Sequence, residues 1–133
     1  MAELSPASSP RRVFPRLLGA ATAGYGAAVL ARPRVLAGPC GLIEADGRLS
    51  KSTTVLSRAV GARDLVSGLA MAVAPSRLAM TVAIGVRVAC DASDAVVFGR
   101  GLPEAKARRN AALVAGGWAA VCALSFVSVR SRR

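Results

Sequence analysis

Apolar residues along this chain gather into four runs, 17–31, 54–74, 78–98 and 110–129, separated by short polar breaks. None shows the strict alternation of a strand, and each is long enough for a helix. The last run is twenty residues without a charge, the signature of a membrane-spanning helix. The first, LLGAATAGYGAAVLA, spans about 22 Å as a helix against a hydrocarbon core of roughly 30 Å, so its flanking arginines must snorkel. The two middle runs are apolar except for Arg58, Arg63 and Asp64 in one and Arg87, Asp91 and Asp94 in the other. The pattern predicts an all-α fold, a four-helix transmembrane bundle with spans of about 17–31, 54–74, 78–98 and 110–129. Residues 1–12 read as a disordered, Ser- and Pro-rich tail, 13–130 as the membrane domain and 131–133 as a basic tail.

The breaks have turn chemistry. Residues 32–53 carry Pro33, Pro39 and several glycines and charges and read as the longest loop; Pro75-Ser76-Arg77 is a tight turn; 99–109 is a second polar connection. The paired Arg11-Arg12 and the apolar core that follows also fit a signal peptide, but the three further apolar runs make the first better explained as one of a set.

Composition sharpens this picture. Hydrophobic residues make up 53% of 133 and aromatics only 4%, with a mean hydropathy of +0.47, so the apolarity comes from Ala, Val, Leu and Gly, small residues that let helices approach closely in lipid. The net charge of +11 would suit nucleic acid, yet most basic residues bracket the apolar runs, as around membrane spans. The expected partner is therefore the lipid bilayer and not nucleic acid. Basic residues are almost evenly shared between the two faces, so the positive-inside rule does not orient the chain; a multi-pass protein of the bacterial plasma membrane with cytoplasmic termini is the default. With no His and no CxxC pair, neither a metal nor another cofactor is implied, and Cys40, Cys90 and Cys122 read as small hydrophobes of unassigned role.

Three charges cost each middle run roughly 8 to 10 kcal/mol on insertion scales, about twice what its apolar residues return. The tight turn offers relief by folding the two runs into a hairpin. Counted from Ser76, Asp64, Arg63 and Arg87 lie at matching depth near mid-membrane, and Arg58 and Asp94 match nearer the far surface. The expectation is a neutral ladder, Asp64 facing Arg87 and Arg58 facing Asp94, with Asp91 on the stripe of Arg87 and Asp94. Arg63 points away from Arg58, towards another helix. Any pocket should open on the side of the two longer loops.

The run Gly61-Ala62-Arg63-Asp64 with Arg58 and Gly68, followed by Arg87, Asp91 and Asp94, resembles a family of small bacterial four-helix membrane proteins, a domain of unknown function distantly similar to DoxX-like proteins. The resemblance covers about 15–129 and implies the fold without an activity. The site residues read from the sequence are thus Arg58, Arg63, Asp64, Arg87, Asp91 and Asp94. One reading is an accessory or transport-related protein that binds a lipid headgroup or a small polar or anionic ligand through Arg63 and Arg87, as a homodimer packed through Gly116-Gly117 or Gly19 and Gly24. A second is a membrane-embedded enzyme with Asp91 or Asp94 as acid or base, its catalytic set undefined. A third is a purely structural ion-pair network.

Overall fold

Serine caps and prolines set the ends of the middle helices. Ser50 Oγ accepts from the Thr53 amide and Ser76 Oγ from the Ala79 amide, each at 3.0 Å, satisfying donors that a helix start leaves free. The computed structural model describes residues 10–130. Among them are five helices and no strand: α1 (Pro10–Ala31), the short α2 (Arg34–Ala37), α3 (Lys51–Val73), α4 (Arg77–Gly101) and α5 (Ala105–Arg130). The predicted tails at 1–9 and 131–133 lie outside the described residues, whereas 10–12 belong to α1.

The long helices overrun the apolar runs that predicted them. α1 begins before its apolar run, and α4 and α5 take up most of the connection expected at 99–109, leaving only Leu102–Glu104 between them. Lys, Arg and Ala are good helix formers, so a polar flank marks where apolar surface stops, not where the helix does. Pro15, inside α1, cannot bond to the Arg11 carbonyl one turn back, and Ser128 Oγ donates to that carbonyl instead at 3.2 Å. Arg12 and Arg16 donate to the carbonyls of Pro75 and Ala74, at 3.1 Å each, closing the open end of α3.

Packing follows glycine. α1 and α3 run antiparallel with Gly19 against Gly68 and Gly26 against Gly61; a Cβ built on Gly26 would sit 2.4 Å from the Leu65 amide nitrogen, and one on Gly68 2.4 Å from that of Ala23. Only hydrogen fits between these backbones. Gly19 is thereby used inside the chain, which removes it from the surfaces expected to pair two copies; Gly24 and Gly117 face open space. α4 and α5 form a second antiparallel pair, with Gly99 against Ala112 and Gly116 against Ala95. The pairs meet where α3 faces α4 and α1 faces α5.

Polar and charged side chains share the interior with apolar ones, and much of the outside is apolar. Thr22, Ser57, Asp64, Ser67, Arg87, Asp91 and Ser125 are buried, while Leu17, Val66, Leu78, Val114 and Leu124, drawn from all four long helices, are each more than 60% exposed. Two helices, α1 from Arg11 and α5, are long and apolar enough to cross a membrane. α3 and α4 have the length but carry the charges. An apolar core fills the end nearest the Pro75 break, with Met71, Met80, Ile84 and Cys122 at 1% exposure or less.

Candidate functional site

Arg87 is the centre of the site. It is fully buried on α4, and each of its nitrogens has a partner: Nε donates to Asp91 Oδ2 at 2.9 Å, Nη2 to Asp91 Oδ1, and Nη1 to both Asp64 Oδ1 at 2.8 Å and Ser67 Oγ at 2.9 Å. A guanidinium offers a planar fork of donors, and here one prong grips a carboxylate one turn along its own helix while the other crosses to α3. The predicted meeting of Asp64 and Arg87 is therefore in place.

The other rung is different. Asp94 is held by Arg63, whose Nη1 and Nη2 reach its two oxygens at 2.8 and 2.5 Å, while Arg63 Nε and Nη2 also reach Asp64 Oδ1 at 3.1 and 2.8 Å. The expected Arg58–Asp94 pair does not form. Arg58 is exposed, takes part in no ion pair among the described residues, and lines a shallow cleft with Arg32 and Arg34 near the loop that follows α1. The reason is azimuth. At roughly 100° per residue, Asp64 and Ser67 lie on the α4 side of α3, whereas Gly61 and Gly68 lie on the α1 side with Arg58 just beyond them. Depth matched Arg58 to Asp94, but they stand on opposite flanks of α3.

The result is one chain of alternating charge, Asp94–Arg63–Asp64–Arg87–Asp91. It begins and ends in a carboxylate. With Arg58 outside it, the expected neutral sum becomes a formal excess of one negative charge. Asp64, only 5% exposed, accepts all its hydrogen bonds at Oδ1, and no described residue donates to its Oδ2.

Beside this chain lies a cavity of about 340 Å³, lined by all four long helices. Asp64, Arg87, Asp91 and Asp94 form its polar wall; Arg63 is not in the lining. The rest is mostly apolar and aromatic, with Tyr25 from α1, Phe98 from α4 and Trp118 from α5, and adds the polar Thr22 and Asn110. Trp118 is fixed by donating its Nε1 to Thr22 Oγ1 at 3.0 Å. Tyr25 and Val114, at 43% and 74% exposure, place a mouth between α1 and α5. Leu36, Pro39 and Cys40 close the end under the long loop, which packs on Leu102 and Ala107 of the α4–α5 turn. The cavity thus extends from the charges towards the two loops but, against expectation, does not open there, because the loop residues cover that end. Burial pushes the Cys40 thiol above its ordinary range and the charge of Asp94 adds to this, so it stays a neutral thiol.

The three rings were missed from sequence because isolated aromatics on apolar helices give no spacing signal. Ser67 carried one: it lies one turn beyond Asp64 on the same face of α3. Compared with known proteins, the chain matches no family model, no curated protein and no solved structure.

Proposed function

We propose that this chain is a four-helix integral membrane protein that binds a small amphipathic molecule in an intramembrane pocket, as an accessory or transport-related protein. The observation that carries this is the cavity of about 340 Å³, aromatic on one side and walled by buried, ion-paired Asp64, Arg87 and Asp91 on the other. Ligand pockets combine a mostly apolar lining with a few placed polar groups. The burial of Asp64, Arg87 and Asp91 beneath a surface rich in exposed valines and leucines supports lipid as the surrounding solvent. On this reading α3 and α4 also span, their charges hidden from lipid, and a multi-pass location in the cell membrane follows. Kinship with small DoxX-like membrane proteins is part of the same proposal and rests on the residues of α3 and α4 alone.

Alkaline carbonate should leave the protein in the membrane pellet; release into the soluble fraction overturns the membrane reading. In lipid nanodiscs, a small aromatic amphiphile should change the emission of Trp118, the one tryptophan, in a saturable way, and Ala115→Phe, which fills the cavity, should abolish the change. The pairing of every Arg87 nitrogen favours a second reading, a purely structural network. Under it no probe saturates. Both oxygens of Asp91 and of Asp94 are engaged by a guanidinium, which does not favour either as a base.

A further inference from the structure

We infer that the pocket takes an organic cation with an apolar body, an ammonium-type head on a hydrophobic group, and not the anion that its arginines suggest. This rests on the pocket reading above and names the ligand class. Three features converge. The guanidiniums are already committed: Arg87 directs four of its five N–H donors to Asp64, Asp91 and Ser67, and Arg63, bound to two carboxylates, is not in the lining. An anion would have to displace a carboxylate that cannot leave.

The charge chain is also odd in number. Three carboxylates against two guanidiniums leave one negative charge without a counter-ion in a chain whose Asp64, Arg87 and Asp91 are buried, where an uncompensated charge is costly. All three carboxylates line the cavity, and no described residue donates to Asp64 Oδ2. A cation in the cavity completes the alternation.

The remaining wall supplies the third feature. Tyr25, Phe98 and Trp118 present rings whose faces attract a cation, most strongly when it has shed its water. Such rings add nothing for a hydrated inorganic ion but suit a bulky, weakly hydrated ammonium with carbon around its charge. The mouth between α1 and α5, rimmed by exposed Tyr25 and Val114, admits it sideways from the lipid.

The test uses three probes of equal shape: benzyltrimethylammonium, its uncharged carbon isostere neopentylbenzene, and the anion phenylmethanesulfonate. Each is titrated into the full chain in zwitterionic nanodiscs and read by Trp118 emission. The cation should bind about tenfold tighter than the neutral isostere, the scale of a desolvated cation–ring contact, with no saturable binding of the anion. Arg63→Gln, outside the lining, raises the negative excess and should tighten the cation; Asp94→Asn removes the excess and should weaken the cation relative to the isostere, leaving the part of the preference that the rings supply.

Preference for the anion or the isostere, or weaker cation binding in Arg63→Gln, overturns the cation inference and leaves the pocket standing. Absence of saturable binding by all three overturns both. Should Asp94→Asn fail to accumulate, the probe ranking and Arg63→Gln decide alone.

Discussion

Arg58 and Arg87 differ by position alone, and substituting each should show how much. Arg87→Met leaves the buried carboxylate of Asp91 without a counter-charge and Asp64 with Arg63 alone, a change worth about 3 to 5 kcal/mol, so it should unfold at markedly lower temperature in detergent or fail to accumulate. Arg58→Gln should stay within about 0.5 kcal/mol of the parent in the same melt. The Arg87 pairing was legible because two helices joined by a tight turn bring equal depths together. Arg58 was misassigned because depth ignores rotation about the helix axis, which only the contact of Gly61 and Gly68 with α1 fixes. At the other end of the cavity, Cys40 should react with iodoacetamide only at higher pH than a cysteine introduced at exposed Asp46, because its raised thiol pKa delays formation of the reactive thiolate.

At the scale of elements, α1 and α3 are held by what their glycines lack. Gly26→Ala and Gly68→Ala place a methyl group into the partner backbone, and each should destabilise by about 1 to 3 kcal/mol, read by the same thermal unfolding. Gly24→Ala and Gly117→Ala, facing open space, should lie within about 0.5 kcal/mol of the parent. Seven-residue spacing, Gly19 to Gly26 and Gly61 to Gly68, is visible in the sequence; that these two series face each other is not, since it depends on α1 pairing with α3 across the longest loop. Helix ends were less legible still. Hydropathy reported where apolar surface stops, and the arginine-rich first turns of α1 and α5 continue past that line.

For the whole molecule, antiparallel pairing sets a topology. Cysteines introduced at Asp46 and Glu104 should be labelled from one face of the membrane and one at Ser76 from the other; labelling of all three from a single face would refute the spanning arrangement. The two glycine-sutured pairs divide the molecule into stiff halves. Along one edge they are joined by the Pro75 break and by the charge chain. Along the other, two neutral bonds among the described residues cross from α1 to α5, from Trp118 to Thr22 and from Ser128, which also donates to the Ser125 carbonyl, to the Arg11 carbonyl, each worth at most about 1 kcal/mol net. The molecule is built like a book, bound on one side and held shut on the other by two light clasps, and the cavity lies between its pages.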